Sequence, residues 1–304
     1  MILIADSGST KTEWCLLDKA SGSTKTIYTQ GINPFQMTED TIVSILTSEL
    51  LPSIDASSIT AIHFYGAGCT PEKSAIVASA IKKALKSAVI PNGVLPIQGE
   101  LEGALLSVHS DMLGAARGLC GSSSGIVCIL GTGSNACFYD GSVLHPGNPA
   151  LGFILGDEGS GAYIGKRLAG DILKRQMSAH ICDLFFKETG ETSASIIQKV
   201  YREPLPNRYL ASLSKFCYAH RDEADIQSLL VDCFKQFFRR NIVGVYDDCT
   251  SDLTVHFVGS IAHYYHSELS LAAESCGFAI GKVMQAPMAG LIEFHRETHH
   301  HPIA

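Results

Sequence analysis

The sequence predicts an α/β protein built from two related halves, and three observations carry that reading. Two Gly/Ser/Thr-rich turns recur, Asp6-Ser7-Gly8-Ser9-Thr10-Lys11-Thr12 and Gly131-Thr132-Gly133-Ser134-Asn135. Each follows an apolar run, Ile2-Leu3-Ile4-Ala5 in one case and Ile126-Val127-Cys128-Ile129-Leu130 in the other, and each leads into a second strand pattern. Those second strands are Glu13-Trp14-Cys15-Leu16-Leu17 and Ala136-Cys137-Phe138-Tyr139. Around them, strand-like and helix-like stretches alternate, as expected where helices layer on a sheet.

Taken in order, residues 2–5, 13–17 and 24–30 read as three strands joined by tight turns, the second at 19–23. Thr38 is placed to cap a helix carrying Ile42, Val43, Ile45, Leu46 and Leu50. Residues 60–65 form a strand pattern ending at Gly66-Ala67-Gly68. Thr70-Pro71 then opens a helix with proline at its first position. Its apolar stripe is Ile76, Val77, Ala80, Ile81, Ala84, Leu85 and Ala88, with lysines opposite. A short strand is expected at 94–97, then helices over 100–108 and 111–119. After the turn 121–125 the strand–hairpin–strand pattern starts again. Residues 161–240 are mainly helical by period, weakest around 202–207. Late strands at 253–258 and 278–284 precede Pro287 and a last helical segment. His295, His299, His300 and His301 read as part of a solvated tail.

Composition narrows the function. At 304 residues, two domains are favoured, and 46% hydrophobic with 17% charged residues is enough to bury ordinary cores. A formal net charge of -7 with no basic cluster argues against nucleic acid. No apolar run approaches the ~20 residues of a membrane span, and no leader pattern opens the chain. The 10 cysteines are scattered singly, without a CxxC pair, and read as small core residues of a reducing cytoplasm. Trp14 reads as core.

The two turns carry the chemistry. Glycine turns expose backbone N–H groups that cradle anions, and two facing hairpins can grip a polyphosphate from both sides. Neither turn has Walker A spacing, and neither is a Rossmann GxGxxG. Asp6 ends a strand beside the first turn, where a carboxylate either holds Mg²⁺ or makes an Asx-turn. Lys11 is either a phosphate point charge or an exposed strand lysine. Gly131 and Gly133 permit close backbone approach, and Thr132 and Ser134 offer hydroxyls. Gly156-Asp157-Glu158-Gly159-Ser160-Gly161 opens a helix, its carboxylates serving the helix N-terminus or a substrate hydroxyl. Gly259-Ser260, in Val258-Gly259-Ser260-Ile261-Ala262, forms a strand-to-helix turn on which adenine or ribose could lie.

The four motifs in this order and spacing resemble the actin-like ATPase superfamily of sugar kinases, actin and heat-shock chaperones. Within it they are most similar to the BadF/BadG-type ATPases and the N-acetylglucosamine kinases. The resemblance implies two ribonuclease-H-like domains, 1–115 and 116–287, with 288–304 packing back on the first and an ATP–Mg²⁺ cleft between them. It also implies roles. Asp111, in Asp111-Met112-Leu113-Gly114-Ala115-Ala116, stands where the family's catalytic base lies, with Glu100 as the alternative and simple helix capping as the plain reading. Ser9, Thr10, Lys11, Gly131, Thr132, Gly133, Gly259 and Ser260 would contact the nucleotide, and Asp6 the metal. Asn33, Asp111, Gly152 and Asp157 would contact the sugar. Where related kinases have Gly-Trp-Gly, this chain has Ala150-Leu151-Gly152, so the tryptophan is missing. The expected activity is ATP-dependent phosphorylation of an amino sugar, most simply N-acetylglucosamine at its 6-hydroxyl, by a cytoplasmic protein for which a homodimer is left open. Two alternatives are an ATPase that activates a partner, like the 2-hydroxyacyl-CoA dehydratase activators with their cysteine-held cluster, and a non-catalytic sugar sensor.

Overall fold

A computed structural model describes residues 1–8, 10–88 and 105–298. The chain divides into two compact units, one of Met1–Ser122 with Pro287–Ala304 and one of Ser123–Ala286.

In the first unit, β1 (Ile2–Ser7), β2 (Lys11–Leu17) and β3 (Thr24–Gln30) form an antiparallel meander. β4 (Ala61–Gly66) and β5 (Leu105–Ser110) extend it in parallel, giving the order β3-β2-β1-β4-β5. The central strands β1 and β4 are mostly apolar and almost wholly buried because both faces are covered. On one face Leu3, Ala5, Trp14, Leu16, Ile62 and Phe64 pack against α1 (Glu39–Ile45) and α2 (Pro71–Ala88). Thr38 caps α1, accepting the N–H of Thr41, and the helix continues into a π turn at Leu46–Leu50. Trp14 is fully buried, and its Nε1 donates to Thr29 Oγ1 at 3.0 Å, so its polar atom is satisfied inside the core.

The opposite face carries Ile2, Ile4, Cys15, Leu17, Ala61 and Tyr65. It is covered by α3 (Asp111–Cys120) and by the C-terminal helix Met288–Thr298 through Met288 and Leu291. These two helices approach closely at glycines. A β-carbon on Gly118 would meet Pro287, and one on Gly290 would meet the backbone of Gly118. A buried polar chain pins the contact. Arg117 Nη1 donates to Tyr65 Oη at 2.9 Å, Tyr65 Oη pairs with His295 Nε2 at 2.9 Å, and His295 stacks on His63 at 3.9 Å. His295 is therefore a core residue and not part of a solvated tail, while His299, His300 and His301 lie outside the described residues.

The second unit repeats the plan. β6 (Gly125–Leu130), β7 (Ser134–Tyr139) and β8 (Leu144–Pro146) are antiparallel, and β9 (Thr254–Val258) and β10 (Ala279–Met284) add in parallel. The order β10-β9-β6-β7-β8 is that of the first sheet read from its other end. The short α4 (Gly152–Leu155) precedes a helical layer of α5 (Gly161–Leu173), α6 (Ala179–Thr189), α7 (Ser193–Tyr201), α8 (Pro206–Ala219) and α9 (Ala224–Asn241). α10 (Ser260–Tyr264) and α11 (His266–Ser275) join β9 to β10, and the C-terminal helix is α12. The core centres on Phe234, Phe237, Phe238 and Phe257, all fully buried.

Two further expectations are corrected. The helix expected over 100–108 is a strand from Leu105 onward, because the run pairs with β4 in register from Ala61↔Leu105 to Gly66↔Ser110. A short apolar run has no period long enough to distinguish the two. The cysteines are not uniformly core: Cys249 is exposed and Cys120 and Cys276 are half-buried. The strand expected at 94–97 lies outside the described residues. Among those residues no helix is long and apolar enough to cross a membrane.

Candidate active site

In the first unit the candidate residues gather at the carboxyl ends of the three parallel strands, the usual ligand edge of an open α/β sheet. Ser7, Gly66 and Ser110 stand side by side in the ladder, so the turn after β1, the turn after β4 and the start of α3 share one edge. The first hairpin is closed by Gly8 N donating to Lys11 O at 3.0 Å. Beneath it the buried Ser7 Oγ bonds Thr12 Oγ1 at 2.6 Å and Ile32 O at 3.0 Å, which ties the hairpin to the segment carrying Asn33. Gly31 N donates to Thr10 O at 3.1 Å, adding a second tie. Asn33 is buried, its Oδ1 accepting Phe35 N at 3.0 Å. It lies against Gly68, where φ is +78° and a β-carbon would strike Asn33 and Phe35. Thr10 and Lys11 are exposed, and Lys11 Nζ sits 4.7 Å from the Tyr28 ring centroid.

Two carboxyls face this edge. Asp6 is half-buried near the end of β1, and its pKa is pushed up to about 7 by burial first, then by Asp111 and Glu13, against the pull of Lys11. Asp111 begins α3, and burial raises its pKa while the backbone N–H groups of Met112 and Asp111 oppose the rise. Capping of that helix falls to Ser110, whose side chain accepts Leu113 N at 3.3 Å. Asp111 Oδ1 accepts the adjacent Met112 N at 2.9 Å. Ser9 and Glu100 lie outside the described residues.

In the second unit the hairpin between β6 and β7 is bolted to the start of α5. Gly161 N donates to Gly131 O at 2.8 Å and Ala162 N to Thr132 O at 3.1 Å. Ser160 caps α5, its side chain accepting Tyr163 N. Asp157 reaches back to the hairpin, its Oδ1 accepting Ser134 N at 3.3 Å. Its backbone holds φ +56°, a conformation that a short polar side chain tolerates better than most. Burial raises the Asp157 pKa, the Ser134 N–H opposes that, Glu158 adds to it and Lys166 opposes it. Gly259 follows β9 at φ +125°, with its Cα pressed on the Leu130 backbone where no side chain fits, and Ser260 is exposed beside it.

A cavity of about 270 Å³ opens beside Asp157. Asn135, Asn148, Asp157, Glu158 and Asn241 give it a polar wall, and Pro149, Ala150, Leu151 and Leu155 an apolar one. Gly152 starts α4 at φ +73° just behind Leu151. Glu158 is buried, with Arg240 Nε 3.7 Å from its Oε1 and Asn241 Nδ2 3.5 Å from its Oε2. Asn148 Nδ2 donates to Arg240 O at 2.6 Å, holding the cavity rim to the end of α9. Sequence reasoning missed Asn148, Arg240 and Asn241. Arg239-Arg240 in the last turn of α9 looks like ordinary dipole pairing, and nothing local marks Asn241.

A search of solved structures finds a provisionally named N-acetylglucosamine kinase from Porphyromonas gingivalis, 45% identical, covering 98% of this chain and 100% of that one with a TM-score of 0.86. The chain belongs to the actin-like ATPase family of sugar kinases. In this sugar kinase, then, the repeated five-stranded sheets are the two ATPase-type halves of the family fold. A provisionally named N-acetylglucosamine kinase from Chromobacterium violaceum shares that fold at 18% identity, with 96% and 98% of the chains covered and a TM-score of 0.66. A ROK family glucokinase from Streptomyces griseus, solved with glucose and AMPPNP, shares it at 14% identity, with 96% and 97% covered and a TM-score of 0.52. No family model and no curated protein matches the sugar kinase.

Proposed function

We propose that the protein phosphorylates an amino sugar with ATP, N-acetylglucosamine being the best-supported acceptor and its 6-hydroxyl the site. The observation that carries this is the two-walled cavity sharing Asp157 with the glycine hairpin after β6. Its amide and carboxylate side chains suit sugar hydroxyls, and its apolar wall suits the methyl of an N-acetyl group. Leu151 supplies contact there but no indole N–H. The identity to the Porphyromonas gingivalis protein, whose name specifies N-acetylglucosamine, supports the same acceptor.

In this reading the hairpin backbones at Thr10–Lys11 and Gly131–Gly133 hold phosphate oxygens, and the turn Gly259-Ser260 takes the adenosine. Ser9 belongs to the same proposed set. Asn33, Gly152 and Asp157 position the sugar. Asp111 accepts the proton of the attacking hydroxyl as its oxygen bonds the γ-phosphorus and ADP leaves with the electrons of the broken P–O bond. A base works best when its pKa lies near working pH, and burial moves Asp111 in that direction.

Asp6 fits Mg²⁺. It is a hard oxygen ligand whose ionised form is disfavoured by burial and by two neighbouring carboxylates, a situation a divalent cation relieves. Among the described residues no group of three or more His, Cys, Asp or Glu side chains gathers to hold a metal, as suits an ion that keeps several waters and phosphate oxygens. When bound, Mg²⁺ supplies charge neutralisation of the polyphosphate.

Sugar-dependent ADP formation, measured by a coupled assay across amino sugars and hexoses, tests the reading. N-acetylglucosamine is expected to support the highest kcat/KM. ATP consumption independent of every sugar would overturn it. Asp6→Ala should raise the Mg²⁺ concentration needed for half-maximal rate, and an unchanged Mg²⁺ dependence would remove that role from Asp6.

A further inference from the structure

Asp157 faces two ways. Its Oδ1 accepts the backbone N–H of Ser134 at 3.3 Å, and its Oδ2 lies where a β-carbon on Gly133 would be only 3.0 Å away. The same side chain lines the cavity with Asn135, Glu158 and Asn241. The first half of the hairpin is anchored by α5, through Gly161 N to Gly131 O and Ala162 N to Thr132 O. The second half, Gly133-Ser134, meets the Asp157 carboxylate instead. At 3.3 Å that bond is long for a charge-assisted contact, which ordinarily closes to ~2.7–2.9 Å. The φ of +56° at Asp157 aims the carboxylate at the turn, and Ser160 N fixes the local backbone by donating to Asp157 O at 3.0 Å.

We propose that Asp157 is a positioning residue that couples the sugar cavity to the phosphate-facing hairpin, so that sugar and nucleotide raise each other's affinity. A sugar hydroxyl donating to the free side of the carboxylate holds it in one orientation. The Ser134 bond shortens, and Gly133-Ser134 is ordered before phosphate arrives. The nucleotide then meets a turn whose ordering cost is already met. Linkage makes the effect reciprocal, and the usual size of such couplings starts at about fivefold. Gly133 is part of the device, because a β-carbon there would push the carboxylate back by a few tenths of an ångström. The inference rests on the proposed function, in which the cavity takes sugar and the hairpin takes phosphate.

The test is calorimetric titration of the intact chain with a non-hydrolysable ATP analogue and Mg²⁺, with and without saturating N-acetylglucosamine, in wild type and Gly133→Ala. The φ of Gly133 lies outside the left-handed region, and the β-carbon of an alanine there meets only the Asp157 carboxylate, which must give by a few tenths of an ångström. Wild type is expected to bind the analogue at least about fivefold tighter with sugar present. In Gly133→Ala the ratio falls to about one, whatever the substitution costs nucleotide binding by itself, because each protein is compared only with itself with and without sugar. A ratio of one in wild type, or a full ratio in Gly133→Ala, overturns the coupling and leaves the kinase reading standing. Wild type that binds neither ligand overturns both. Should Gly133→Ala fail to fold, hydrogen exchange of wild type with N-acetylglucosamine alone decides. Slower exchange of the 131–135 amides supports the coupling, and unchanged exchange refutes it.

Discussion

Asp6 and Asp111 stand at one sheet edge, burial raises the pKa of both, and the fold and the proposed reaction ask opposite things of their protons. In the folded chain Asp6 holds its proton up to about pH 7, against an ordinary value of 3.8. Between those values the folded state binds more protons than the unfolded one, so stability falls as pH rises through that window. Asp6→Asn, which cannot ionise, should therefore gain Tm relative to wild type on going from about pH 5 to about pH 8 without divalent cations. Parallel melts of the two proteins across that range would disprove the burden placed on the Asp6 carboxylate. Asp111 carries the opposite demand, since a general base must be ionised to work. Asp111→Asn should lower kcat by about 10²–10⁴ with little change in nucleotide Kd. Near-full turnover in that variant would assign the proton to another group. Both aspartates are readable in sequence because each abuts a strand end or helix start with a recognisable pattern. Asn241 and Asn148 are not, since a cavity wall built from the end of α9 and the loop after β8 has no local signature.

At the scale of elements, the helical layer of the second unit depends on how closely α5 and α8 approach. A β-carbon on Gly165 would fall on the Leu210 carbonyl, and backbone on backbone leaves little to yield. Gly165→Ala should cost about 3 kcal/mol or more in denaturant unfolding. Gly170, in the same helix, has open space around its Cα, and Gly170→Ala should stabilise by about 0.4–1 kcal/mol. Equal effects at the two positions would show that helix propensity, and not interhelical approach, decides. Element type was legible where a period or a stop signal ran long enough. Thr38 and Pro71 start their helices as expected, and the weak stretch around 202–207 is the break between α7 and α8, where Pro206 opens the next helix. β5 was not legible, because its strand character comes from pairing with β4 and not from its own six residues.

For the whole molecule, the repeated sheet order could be foreseen from two hairpins, since each fixes the first antiparallel pair of its sheet. The burial of α12 was harder to see. Its contacts with Tyr65 and His63 cross 230 positions or more of sequence, beyond the reach of any local pattern. Leu291 is fully buried in that contact, and Leu291→Ala should cost about 2–5 kcal/mol. Differential scanning calorimetry should register this as a lower transition for the unit holding β1–β5. A melt unchanged by the substitution would mean the helix adds nothing to that core.

The return of α12 also sets a timetable for biosynthesis. Domains commonly fold in the order in which they leave the ribosome. Here Ser123–Ala286 is a single uninterrupted stretch, whereas the first unit waits for residues translated after the second. Until then the face carrying Ile2, Ile4 and Leu17 has α3 but lacks Met288 and Leu291 over it. A nascent chain stalled short of Pro287 is therefore the form most exposed to chaperones and proteases, and a frameshift just after Ala286 would harm the first unit more than the second.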